Sequence, residues 1–281
     1  MNTYKLPLLL FYAITILVGY SGIVMGQEAP SVGITPALAE AIVKRGSSYI
    51  KNFTITNSTT TRLRFNCSVE DVWYDEQNKR VMGRPGTLPR SASLWVQLSP
   101  SEVIIEPNSS AVVKAVITVP QSATGSYYAV PVFEGMPVEK PATNDLAQQN
   151  ITAKASIGIR FNGLIMLTTT EGSEYSLEIM NGKVIPPTAS TELELSLDIR
   201  NRGTAHAKVR GAFAILNASG ALVGRGNLNE KRYLPTLRDT VKGYWSGELT
   251  PGNYTSIVTI SYDRVGLEPS SMVYEIPFSV K

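Results

Sequence analysis

Cysteine and histidine are nearly missing from this chain: its 281 residues hold one of each, Cys67 and His206. A lone thiol makes no intramolecular disulfide, so packing must hold the fold. Structural zinc takes about four Cys or His ligands, which this pair cannot supply. A Cys–His nucleophile would need both in one place, yet about 140 residues separate them. Charge of one sign is also missing, with 26 basic against 23 acidic residues and a net +3. That balance excludes nucleic acid and anionic membrane as expected partners. No Gly-rich phosphate loop, G-x-S-x-G elbow, H-E-x-x-H pair or D-x-D-x-D-G loop occurs. The reading is therefore of a non-enzyme, with no catalytic, metal or cofactor residues. The acidic pairs Glu70-Asp71 and Asp75-Glu76 read as a solvated strand edge and a turn, the ordinary place for exposed acids.

Long apolar runs are confined to the first 26 residues. Lys5 precedes LPLLLFYAITILVGYSGIV, and Val24-Met25-Gly26 offers a cleavage site. This is the pattern of a secretory signal, with an uncleaved membrane anchor as the alternative. The mature chain is expected to be exported, or tethered only by its N-terminus. A membrane contact is expected only if this segment is retained.

What the chain has in quantity is period-two alternation. The run from Leu94 to Phe133 alternates apolar segments (LWVQL, VII, VVKAVITV, YYAVPVF) with turn material (SPSE, EPNSS, PQSATG). It reads as three or four antiparallel strands of a β-sandwich. Upstream, SVGIT and LAEAIV form a first strand interrupted near Thr35-Pro36, and YIKNFTITN is the next. In RLRFNCSVEDVWYD, Leu63, Phe65, Cys67 and Val69 alternate inward, which predicts a buried, unreactive thiol. Asp75 to Arg90 reads as a loop, and Glu134 to Asn150 as a long surface loop. ITAKASIGIRFNG is a strand with Ala153, Ala155, Ile157, Ile159 and Phe161 on one face.

A second unit repeats the logic. YSLEIMN leads to a turn at Gly182, and ELELSLDIRNRG places Leu193, Leu195, Leu197 and Ile199 inward. HAKVRGAFAIL and ALVGRG flank Asn217–Gly220 as a hairpin. YLPTL, VKGYWSGEL, NYTSIVTISYD and SMVYEIPFSV follow as strands. The stretch Leu249 to Tyr254 reads as a corner where a Tyr hydroxyl ties back to the backbone, or as a plain Pro-Gly turn with a core Tyr. His206, beside a strand start, reads as packed or solvated. Seven sequons, at Asn52, Asn57, Asn66, Asn108, Asn150, Asn217 and Asn253, are glycan acceptors or chance in a Ser/Thr-rich β-protein. The expected fold is all-β: a signal peptide at 1–26, an immunoglobulin-like sandwich at 27–165 and a second at 172–281.

The strand ending Thr54-Ile55-Thr56-Asn57, the later pattern W-x-x-L-S-P…I-x-P-x-S-x-x-V and the long loop before an alternating strand resemble the periplasmic pilus-assembly chaperones of the PapD type, and related bacterial surface proteins with that N-terminal sandwich. The pattern covers about residues 31–165. The resemblance implies donation of the last strand of the first domain to an incomplete pilin, with two basic residues in a cleft holding the subunit's terminal carboxylate. Counted from Gly46 and Arg160, those positions fall near Ala41 and Ser156, with Lys44, Lys154 and Arg160 as nearby basic residues. The candidate partner-binding residues are therefore Lys154, Ile157, Ile159, Arg160 and Phe161. The same apolar residues equally suit the core of the first domain. The expected partners are proteins, pilin-like or other surface subunits, bound by sheet edges and loops. The alternative is a structural or adhesive module without chaperone activity.

Overall fold

A computed structural model describes residues 31–75, 77–138 and 158–281. The signal segment, Lys154 and Ile157 lie outside the described residues. Among the described residues regular structure is almost entirely strand, with one short 3-10 turn at Ser93–Trp95. The first domain comprises β1 (Val32–Thr35), β2 (Leu38–Val43), β3 (Ser48–Asn57), β4 (Leu63–Tyr74), β5 (Arg80–Gly83), β6 (Val96–Ser99), β7 (Glu102–Ile105), β8 (Ser109–Thr118), β9 (Ser126–Pro137), β10 (Ile159–Asn162) and β11 (Leu164–Thr169). One sheet runs β1-β3-β8-β6. The other runs β2-β11-β9-β4-β5, with β10 beside β9 and β7 beside β4. Phe53, Ile55, Phe65, Val113, Ile117, Phe133 and Leu167 fill the space between the sheets.

The run from Leu94 to Phe133 supplies four strands, β6 to β9, as its turns foretell. The interrupted first strand changes sheets at Pro36: β1 pairs with β3 and β2 pairs in parallel with β11. β11 carries the first domain's sheet to Thr169, past residue 165 where the sequence reading ended this unit.

The second domain comprises β12 (Leu177–Ile185), β13 (Leu193–Asn201), β14 (Ala207–Asn217), β15 (Leu222–Tyr233), β16 (Arg238–Trp245), β17 (Gly252–Arg264) and β18 (Leu267–Val280). Their order is β12-β13-β16-β15-β14-β17-β18. β15 and β16 pair at a single position, Leu228 with Gly243, so the sheet folds over and its halves enclose one core. Leu193, Leu195, Leu197 and Ile199 are all fully buried there. Burial of each contributes roughly 1.5–3 kcal/mol relative to exposure. Asn217 and Gly220 turn the expected hairpin between β14 and β15. Tyr254 Oη donates to the Thr250 carbonyl at 2.8 Å, so the corner forms as read.

Four local expectations fail for physical reasons. The polar stretch after Asp75 contains β5, which pairs with β4. Asp71 is not solvated but buried. Its carboxylate accepts from the backbone N–H of Gly86, Thr87 and Leu88 and from Ser91 Oγ, and so organises the following loop. Burial raises its pKa, yet the Ser91 hydroxyl and the backbone amides outweigh burial and hold the carboxyl below its ordinary value. Gly182 is no turn but lies within β12, where a Cβ would stand 2.6 Å from the Tyr274 ring of β18. Cys67 is half-buried rather than fully enclosed; desolvation still pushes its thiol up to about 11.

Candidate partner-binding edge and domain junction

β10 and β11 form one continuous strand through Gly163, in unbroken register with β9 from Ile159–Gly135 to Thr168–Ser126. On its other side β11 is covered by β2, whereas β10 has β9 as its one described neighbour. The direction of the main-chain groups follows from two hydrogen bonds. Gly163 N donates to Pro131 O of β9, and Leu164 N donates to Ala37 O on the β2 side, both at 2.9 Å. Alternation along the strand then turns the N–H and C=O of Arg160 and Asn162 toward the uncovered side.

Ile159 and Phe161 are half-buried and pack against the first-domain core. Val32 and Ile34 of β1 lie half-buried at the same margin of the sandwich. A Cβ on Gly163 would meet the Phe53 ring at 3.2 Å and Ile34 Cδ1 at 3.6 Å, so the strand passes close under β1 here. Arg160 points outward between two carboxylates, Glu70 at 2.7 Å and Glu134 at 2.8 Å. The hydrogen bond to Glu70, more than the charge of Glu134, holds its guanidinium still more firmly protonated. Glu70, read as part of a solvated strand edge, is thus paired across the sheet.

At the other end of this strand the two domains meet. Glu40 of β2 lies 2.8 Å from His206 Nε2 and 2.8 Å from an Arg232 nitrogen. Beside it, Ser126 N donates to Thr204 O and Ser126 Oγ accepts from His206 N, each at 2.9 Å. Farther out, Asn78 Nδ2 donates to Arg238 O at 2.7 Å, and Leu234 packs on Trp73, Tyr128 and their neighbours. A cleft of about 490 Å³ opens at this junction, bounded by Glu40, Ile42, Thr168, Tyr175, His206 and Lys208. His206 is therefore a packed residue. Glu40 and Arg232 were not legible as site residues, because 192 positions separate these partners and no local motif marks either.

Of the two basic positions implied by the resemblance, the one near Ser156 lies outside the described residues, and the other falls on β2. Ala41 pairs with Leu167, flanked by Met166 and Thr168. Arg160 sits with Glu70 and Glu134 instead, and Lys44 is exposed beyond the end of β2. Among the described residues no cluster of metal-ligating side chains occurs, and no helix is long and apolar enough to cross a membrane.

No family model and no curated protein matches the chain. Solved structures do. A chain of the chaperone–tip adhesin complex of CFA/I fimbriae biogenesis aligns with a TM-score of 0.49 and 15% identity, over 87% of this chain and 98% of that one. The class 5 fimbriae chaperone CfaA aligns at 0.46 and 14%, over 87% and 98%. A chain of the Salmonella enterica SafA pilin–SafB chaperone complex aligns at 0.41 and 11%, over 88% and 98%. Each of these alignments spans most of both chains, at 15% identity or less.

Proposed function

We propose that this chain is an exported, non-enzymatic, chaperone-like protein that holds a protein partner by strand addition at β10. The observation that carries the reading is that, among the described residues, no strand covers the second side of β10, where Arg160 and Asn162 present main-chain groups beside half-buried Ile159 and Phe161. An added strand gains main-chain hydrogen bonds there, and its alternate side chains meet the apolar margin formed with Val32 and Ile34. The class of partner, a pilin-like or other surface subunit, and the periplasmic or surface location are those implied by the sequence resemblance. Of the two basic positions that the resemblance implies, one falls on Ala41 of β2 and the other, near Ser156, lies outside the described residues.

The test separates main-chain pairing from side-chain charge. Arg160→Pro removes a single N–H, one that points away from β9, and proline is tolerated on such an edge. Arg160→Ala removes the ion pairs and keeps the N–H. Both variants should fold. Cross-linked partner recovered from the native envelope should persist with Arg160→Ala and vanish with Arg160→Pro. Equal recovery by the two variants would defeat strand addition at this edge.

A further inference from the structure

Among the described residues, Glu40 is the carboxylate of the first domain that meets two basic side chains of the second. We propose that Glu40 is an acid-released latch that fixes the angle between the two domains. The inference rests on the junction and not on the strand-addition reading.

The junction is chemically lopsided. Glu40 is 44% exposed, whereas His206 is 8% and Arg232 25% exposed. His206 Nδ1, Arg232 Nε and the Tyr128 hydroxyl are buried without a hydrogen-bond partner. The basic pair is therefore not saturated by its own domain, and Glu40 is its principal acceptor. The other groups facing Glu40 do not replace it. Lys208 of β14 is paired with Glu230. Tyr128 of β9 has its phenol pushed far up by burial, with Arg90 beyond it. Along the cleft, Asp263 is paired with Arg210, and Arg264 Nε donates to the Glu268 carbonyl. Of the other contacts across the junction, those of Ser126, Asn78 and Leu234 are neutral and do not titrate in acid, and the Tyr128 ring lies against the His206 ring.

The direction of release follows from the charges. The His206 hydrogen bond, opposed by burial and aided by Arg232, holds the Glu40 carboxyl below its ordinary 4.5. A lowered folded value means that the latch is fully engaged above 4.5 and is lost as the pH falls through that lower value. Protonated Glu40 leaves Arg232 charged at the junction with no counter-ion across it.

The experiment uses the full chain, with small-angle scattering for the interdomain distance and calorimetry for domain coupling. At neutral pH the wild type should show a narrow distance distribution and one melting transition. Glu40→Gln should broaden the first and split the second into two at the same pH, and the wild type should reach that state only once the pH has fallen below 4.5. Glu178→Gln serves as the control: its carboxyl is also held low, by Arg202, but within the second domain. It should behave as wild type. Superposition of Glu40→Gln on wild type at neutral pH, or a wild type that stays narrow and singly melting in acid, overturns the latch. Should Glu40→Gln fail to fold, Glu40→Asp keeps the charge and shortens the reach; broadening then supports the proposal and superposition overturns it.

Discussion

Asn57 and Asn201 solve one problem in the same way in both domains. Each lies fully buried at the end of a strand. Asn57 Nδ2 donates to the carbonyls of Thr61, Ile105 and Glu106, and its Oδ1 accepts from Thr59 N. Asn201 Nδ2 donates to Ala205 and Tyr233 carbonyls, and its Oδ1 accepts from Gly203 N. An amide that closes a turn and pins a neighbouring strand leaves no room for a glycan, so the sequon at Asn57 is a structural motif. Thr59 is there as a hydrogen-bond partner, through both its N–H and its hydroxyl. Asn57→Ala strands several buried carbonyls, each costing about 1–3 kcal/mol when unsatisfied. Urea unfolding should show a loss of at least about 2 kcal/mol, and an unmoved midpoint would refute the role. Residue-scale roles were only partly legible. Thr54–Asn57 stood out as a motif, while Asp71 read as an ordinary surface acid. Its partners lie 15 to 20 residues downstream in a loop whose path no periodicity encodes.

Strands announced themselves wherever one face is buried and the other wet. β13 was legible in full, because Leu193, Leu195, Leu197 and Ile199 alternate with Glu194, Ser196 and Asp198, and the acids meet Lys242 and Arg238 on β16. β5 was not legible: a four-residue edge strand buries too little to impose a pattern. Gly182 misled for a different reason. Glycine marks a turn or a close approach with equal force, and only the fold shows that β18 crosses near β12. Gly182→Ala should therefore crowd Tyr274 and Ile276, both under 3 Å from the new Cβ. Overpacking of this kind costs typically about 1–3 kcal/mol. A thermal melt of the variant should fall accordingly, whereas a rise would show that β12 tolerates a side chain there.

At the scale of the whole molecule, little was legible beyond two sandwiches in tandem. The junction joins Glu40 to His206 and Arg232 across 166 and 192 positions, and its residues look like any surface charges in sequence. Gly125 is part of the same seam. Its φ is +85°, and a Cβ there would sit 2.2 Å from the Thr204 carbonyl oxygen of the other domain, a backbone atom that cannot swing aside. Gly125→Ala should separate the domains at every pH, unlike the acid-dependent behaviour expected of Glu40. Calorimetry should show two transitions at neutral pH with both cores intact; a single unshifted transition would count against the seam. The crossing of the first strand between sheets also has a mechanical meaning. β2 and β11 run parallel through six paired positions, from Leu38–Leu164 to Val43–Thr169. The chain enters β2 at one end of this pair and leaves β11 at the other. Tension applied between β1 and the second domain therefore pulls the two strands past one another lengthwise. All the rungs share that load together, where a hairpin pulled from its open end would give way one rung at a time.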